Sequence, residues 1–446
     1  MHRNASLPLS SSPLGPRHRW KVLAAGVAAN AAFSVAFSGI PMTAVLMRSG
    51  YRLDNATLGL VLGLMGLGIA LSELPWGLLT DRWGDRPVLL LGLGATAAAL
   101  GAMALWAAPH GGHVPGLGWL AVGLLSVGLL GGSVNGASGR AVMTWFDESE
   151  RGLAMSIRQT AVPLGGAVGA LLLPLLALHG GFRALYAVLA GLCALGALMA
   201  WAWVHEPPVS ARAPMPVAGG THERGPLHDA RIWRIVAGIG ILCSAQFAVL
   251  SFGTVFLHDF GHLGFAAITA AMVAVQVGAM VMRVWSGRWT DRRRNRPAYL
   301  RGCALLSLLL FAALGALTLS DAMATQTSTG RIGLLVLLTL AGISVSAWHG
   351  VAYTELATLA GAARAGTALG MANTSVFLFC FLTPLLIPHL LTLLGWPLVW
   401  FVAGGCALAA MPLMLPARMR QGQAISRSTA RSAPAPSTAR PGSRCA

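Results

Sequence analysis

Apolar runs long enough to cross a bilayer recur along almost the whole chain, and no other feature restricts its fold so severely. A membrane-spanning helix needs roughly 20 predominantly apolar residues. Such runs lie at 22–46, 57–79, 88–108, 117–143, 153–178, 184–204, 233–257, 266–286, 300–319, 332–354, 367–391 and 396–415. In hydrocarbon every backbone N–H and C=O must be bonded internally, so a spanning run of this kind is a helix. The sequence predicts an all-α membrane protein with twelve transmembrane helices. Composition agrees: 55% of the 446 residues are hydrophobic and 10% charged, against about a quarter charged in soluble domains. Basic residues (Arg3, Arg17, Arg19, Lys21) precede the first run. That run is longer than the roughly 7–15 residues of a signal-peptide core, so the first helix is read as retained.

The formal net charge of +17 raises the question of a nucleic-acid partner, and its placement answers it. Of 31 Lys and Arg, 24 fall in the two tails and the loops on one side of the predicted helices. Arg48, Arg52, Arg183 and Arg331 lie on the other side, and Arg140, Arg158 and Arg283 near or within spans. This is the positive-inside bias. It predicts that both termini are cytoplasmic and that the partner is the lipid bilayer, with no nucleic acid. One lysine against thirty arginines, with abundant Ala and Gly, resembles a high-GC bacterial chain, which places it in an inner (plasma) membrane. The six cysteines (Cys193, Cys243, Cys303, Cys380, Cys406 and Cys445) show no CxxC or His-spaced pattern. They read as small apolar residues, and the sequence calls for no metal and no cofactor.

The chain is internally duplicated. "GLLTDRWGDRP" from Gly77 to Pro87 returns as "GRWTDRRRNRP" from Gly287 to Pro297, with Asp81, Arg82, Arg86 and Pro87 matched at an offset of 210 by Asp291, Arg292, Arg296 and Pro297. Further on, Arg158 to Thr160 aligns with Ala372 to Thr374 at an offset of 214, which also sets Asn135 over His349. The expected organisation is a tail at 1–19, a six-helix bundle at 20–204, a Pro, Gly and charge-rich linker at 205–231, a second bundle at 232–416 and a disordered tail at 417–446. Duplicated halves around a midplane site are a transporter architecture.

The first motif (Gly77, Asp81, Arg82, Gly84, Arg86) resembles the loop that major facilitator superfamily transporters carry between helices 2 and 3. The second (Gly287, Asp291, Arg292, Arg296) resembles the weaker copy between helices 8 and 9, with Arg294 standing where the first has Gly84. The resemblance covers about residues 20–416 and implies two pseudo-symmetric six-helix bundles working by alternating access, in a monomer. It also implies a gate: Asp81 against the start of helix 11 at Gly366, Asp291 against helix 5 at Gly152, and Arg140 with Asp147, Glu148 and Glu150. A carboxylate against a helix N-terminus gains about 0.3–1 kcal/mol.

Polar residues inside spans need reasons, because a charge at mid-bilayer costs about 2.5–3.5 kcal/mol even on the mildest scale. Glu73, Arg158 and Arg283 are the clearest, with Glu355 at the margin. In the fold the resemblance implies, helices 5 and 8 adjoin, so Arg158 and Arg283 would approach with no acid on either helix, and an anion would relieve the repulsion. Arg283 to Gly287 also resembles the helix 8 Arg-x-x-x-Gly of monocarboxylate and oxalate/formate transporters. The alternative for both arginines is a structural or gating role. Gln276, Met280 and Arg283 share one helix face, as do Ser346, His349 and Tyr353. Asn30, Asn135, Gln159, Gln246 and Asn373 either line the cavity or hydrogen-bond helices together. Glu73, His349 and Glu355 are candidates for a coupling proton.

The function expected is secondary active transport of a small-molecule substrate, anionic by the arginines, as a symporter or antiporter coupled to H⁺ or to anion exchange. A proton-coupled exporter of drugs or other amphipathic compounds is the alternative. A polytopic enzyme or sensor is remote: no HExxH, GxSxG or P-loop pattern occurs.

Overall fold

The computed structural model describes residues 17–146, 148–205, 226–320, 325–361 and 364–414. Among them are eleven helical runs long and apolar enough to cross a membrane. We label them α1 (His18–Gly50), α2 (Asn55–Trp83), α3 (Asp85–Ala107), α4 (Leu117–Trp145), α5 and α6 (the two legs of Ile157–Trp203), α7 (Ala230–Phe260), α8 (Phe265–Arg293), α9 (Arg296–Leu319), α10 (Ser328–Ala360), α11 (Ala365–Leu394) and α12 (Trp396–Leu413). From Ala161 to Trp203 the α5–α6 run is continuous but for Gly181, at φ 68° and ψ −178°. That conformation lies outside the helical region and is open essentially to glycine alone, so one run holds two helices and the twelve expected spans are accounted for. The linker at 206–225, Asp147 and the tails at 1–16 and 415–446 lie outside the described residues.

The helices run several residues past the edges drawn from hydropathy, and polar groups close their ends. Asp54 accepts from the Thr57 amide at 2.8 Å and its hydroxyl at 2.7 Å at the start of α2, and these bonds hold the Asp54 carboxyl below the usual carboxylate range. Asp229 accepts from the Arg231 amide at α7, and Thr327 from the Gly330 amide at α10. Each satisfies an amide that the first helical turn leaves without a partner. Large apolar side chains such as Leu74, Trp106, Val122, Leu198, Leu309 and Leu394 point outward, the surface a lipid-embedded bundle presents.

Small residues set how closely helices cross. A Cβ on Gly165 or Gly169 of α5 would meet the backbone of α1 at Ala31, Val35 and Gly39, and one on Gly59 or Gly63 of α2 would meet the α11 carbonyls of Pro384 and Phe381. The first crossing builds one half. The second joins the two halves, because α2 and α11 belong to different repeats.

The two motif copies make their turns differently. Gly84 sits at φ 87° and ψ 171°, whereas Arg294 takes φ 50° and ψ 36°. The first conformation requires glycine. The second is the left-handed region, which an L-residue enters at a cost of about 1–2 kcal/mol. One extra residue, Asn295, then separates α8 from α9, whereas Gly84 alone separates α2 from α3. Arg294 at the Gly84 position thus leaves the turn intact and changes its form.

Candidate functional site

Several polar residues of the spans, most of them half-buried, form a connected path that crosses between the two halves. Tyr353 of α10 donates its hydroxyl to Asn373 Oδ1 at 2.8 Å. Asn373 of α11 donates through Nδ2 to Glu73 Oε1 of α2 at 2.9 Å, which crosses from one half to the other. Behind Glu73 lie the Asn135 side chain and the charge of Arg158. Arg158, only 5% exposed, donates from Nε to Ser138 Oγ at 3.0 Å and from its terminal nitrogen to the Asn135 carbonyl at 2.6 Å. Three sequence candidates, Glu73, Arg158 and Asn373, thus meet around one carboxylate.

The two arginines have different surroundings. Glu73 of α2, on neither of the two arginine-bearing helices, is an electrostatic neighbour of Arg158, whose hydrogen bonds stay within its own half. Arg283 lies with the second half: its electrostatic neighbours are Tyr353, Cys243 and His349. It is half-buried, its Nε is buried without a hydrogen-bond partner, and no ion pair to it occurs among the described residues. Neither arginine makes a direct ion pair among the described residues; Arg158 has an acidic electrostatic neighbour in Glu73, and the neighbours of Arg283 are neutral.

Other candidates take separate places. His349 stacks on Trp348 at 3.9 Å and faces Tyr353 at 6.1 Å, with its Nδ1 buried and unbonded. It follows a turn at Ala347–Trp348 that interrupts α10, and Asn135 follows a matching turn at Gly132 in α4. Such breaks at corresponding positions of two repeats are where transporter helices expose backbone to a site. Gln276 is buried against Gly166 of α5, with its Nε2 unbonded. Asn30 on α1 is 1% exposed with both amide atoms unpartnered, and Gln246 on α7 has an unbonded Oε1. Gln159 is half-buried at the break between the Arg158 turn and the rest of α5. Glu355 leaves the group: it lies 3.9 Å from Arg296, at the motif end of α10.

The gate motif is wired within halves. Arg140 donates to the Thr80 carbonyl and sits 3.3 Å from Asp81 and 3.7 Å from Asp85. Asp81 pairs with Arg140, and its side chain is 74% exposed. Glu150, expected beside Arg140, pairs with Arg19 at 2.5 Å; Asp147 and the Glu148 side chain lie outside the described residues. Arg86 donates to the Trp201 carbonyl, Arg296 bonds Asp291 at 3.1 Å, and Arg82 and Arg292 are exposed. The charge spacing was visible in sequence; which acid each arginine would choose was not.

At the opposite end an ion pair that sequence reasoning missed does join the halves. Arg48, closing α1, binds Asp259, closing α7, through two bonds of 2.5 and 2.6 Å. Their separation of 211 residues nearly equals the repeat offset, a signal that was available. Nearby, a cavity of about 290 Å³ lies between Met42, Ala170 and Pro174 of the first half and Thr254, Ile268 and Met272 of the second. Between this end and the site, Phe37 stacks on Phe247 at 5.9 Å and meets Phe377 edge-on at 5.4 Å.

Known proteins agree with this architecture. The chain is 31% identical over 409 residues to an uncharacterized MFS-type transporter of Mycobacterium tuberculosis, covering 91% of this chain and 87% of that one. The counterpart from a second strain is 30% identical. Among solved structures, a D-xylose-proton symporter superposes with a TM-score of 0.70 at 16% identity, covering 89% of this chain and 97% of that one. The POT family transporter PepTSo gives 0.70 at 15% identity over 92% and 99%, and a bacterial homolog of the human lysosomal transporter Spinster gives 0.63 at 16% over 91% and 95%. A family model described as the Major Facilitator Superfamily matches residues 24–325, and with eleven long apolar helical runs among its described residues, a duplicated motif and a polar path between its halves, this multi-pass membrane chain belongs to that superfamily of secondary transporters.

Proposed function

We propose that the protein carries a small anion by alternating access, with Arg283 as the substrate cation and Glu73 as the proton carrier. The observation behind this is the unequal surroundings of the two arginines: Arg158 has Glu73 as an acidic electrostatic neighbour, while Arg283 has no acidic neighbour and an unbonded Nε. A guanidinium is always charged and binds carboxylates through a rigid fork, so an anionic substrate supplies what Arg283 lacks. Glu73 Oε2 is buried without a hydrogen bond and is the free atom for a proton. Protonation there removes the charge that balances Arg158 and weakens the charge-assisted bond from Asn373, which connects the halves. Substrate, proton and conformation are coupled through one short path.

Orientation follows the charge bias: the motif end faces the cytoplasm, and a monomer sits in the inner membrane with the Arg48–Asp259 end closed. The deciding experiment is a thermal-shift screen of the purified protein against mono- and dicarboxylates, inorganic anions and amphipathic cations, followed by uptake in proteoliposomes. A stabilising anion that no longer acts on Arg283→Lys supports the reading; an anion equally effective on that variant removes Arg283 from the substrate site. The Phe37, Phe247 and Phe377 cluster, one turn from Asn373, favours a second reading, export of amphipathic compounds, which stabilisation by cations alone would establish.

A further inference from the structure

Two buried cysteines on different helices face each other beside Arg283. Cys243 of α7 and Cys380 of α11 are 3% and 2% exposed, with their sulfurs 3.8 Å apart. They are 137 residues apart in sequence, so no spacing rule reveals them. Arg283 of α8 lies within electrostatic reach of Cys243. The Cβ of Cys380 also lies against Gly66 of α2, 3.0 Å from where a Cβ would stand, so the pair touches the α2–α11 contact between the halves.

Soft-metal thiolate bonds of about 2.3 Å put two sulfurs on one ion between about 3.8 Å at a tetrahedral angle and about 4.6 Å when linear. The observed spacing is at the short end, and opening to the linear form needs well under 1 Å of movement by two side chains. Hard cations are poorly served by sulfur, whereas soft ions such as Cu(I) select it. Among the described residues no third His, Cys, Asp or Glu joins the pair as a metal-binding group. That restricts the occupant to ions content with two ligands. Charge restricts it further: two thiols lose two protons to one monovalent ion, giving a bis-thiolate complex of net charge −1 and two released protons. The guanidinium of Arg283 balances that charge, whereas a divalent ion would give a neutral complex and leave Arg283 uncompensated.

We propose that Cys243 and Cys380 form a binding site for a soft monovalent cation of the Cu(I)/Ag(I) class, which ties α7 to α11 within the second half. The step is an exchange of two S–H bonds for two S–metal bonds with no oxidation. It holds whichever substrate the protein carries.

Silver(I) is the probe, because it is redox-inert under these conditions. The full-length protein in detergent is loaded with half an equivalent of silver, desalted and analysed for retained metal beside Cys243→Ser, Cys380→Ser and, as a control, Cys303→Ser. Wild type and Cys303→Ser should retain the ion against millimolar histidine, and each pair variant should lose at least about tenfold in affinity. Below the thiols' ordinary pKa, affinity should rise by up to about 100-fold per pH unit, since two protons leave. Arg283→Gln should weaken silver binding by on the order of tenfold, with Arg283→Lys retaining more of it, because charge alone is required. Equal retention by wild type and both pair variants would overturn the site. X-ray absorption on silver-loaded wild type decides independently of whether the variants fold: two sulfur neighbours per ion support the site, and one or none refutes it.

Discussion

At the level of single residues, Arg158 and Arg283 look alike in sequence and differ in what surrounds them. Arg158 and Glu73 are electrostatic neighbours, and removing one leaves the other's charge without its nearest opposite in a low-dielectric setting. Arg158→Ala should therefore lower the unfolding temperature in detergent far more than Arg283→Ala, and adding Glu73→Gln to Arg158→Ala should recover part of the loss. Equal destabilisation by the two alanine variants would show that Glu73 does not balance Arg158. In proteoliposomes, Glu73→Gln should abolish accumulation driven by a proton gradient yet preserve substrate exchange, which needs no net proton movement. The sequence exposed Glu73, Arg158 and Asn373 because polar groups in apolar runs are conspicuous. It hid their grouping, since Glu73 and Asn373 lie 300 residues apart and only the packing of α2 on α11 brings them within 2.9 Å. Ser138, which completes the cradle of Arg158, looked like any small helical residue.

At the level of elements, glycine positions separate turns from contacts. Gly84→Ala forces a side chain into a backbone region used almost only by glycine, at about 1–3 kcal/mol. Arg294→Ala, already in the left-handed region, should cost little by comparison. Thermal denaturation of the two variants tests whether the motif copies differ as their backbone angles say. Gly59→Ala places a methyl on the Pro384 carbonyl; overpacking of this kind costs about 1–3 kcal/mol and should slow turnover with substrate affinity little changed, because the affected contact joins halves and lies away from Arg283. Hydropathy revealed every span, since apolar length is a local property. It could not show that α5 and α6 share one run turned at Gly181, because a helix and a glycine turn present the same apolar composition.

For the whole molecule, Arg48 and Asp259 form a clamp at one end while, among the described residues, the ion pairs of the motif end close within halves. Asp259→Asn should shift the protein toward the state open at the clamp end, read as increased labelling of a single cysteine introduced at Thr254 on a background lacking the native cysteines. Exchanging the charges, Arg48→Asp with Asp259→Arg, should restore the original labelling. The clamp pairs nearly equivalent positions of the repeat, and so does the stack of Phe37 on Phe247, separated by 210 residues. Residues that meet their own counterparts lie on the pseudo-twofold axis. An isologous dimer of one half would have to present each axial residue to an identical copy. An aromatic ring accepts that encounter, and Phe faces Phe here. A charge cannot, and a chain holding both halves is free to place arginine opposite aspartate, so joining the halves covalently permits an electrostatic lock on an axis where strict symmetry would allow only repulsion.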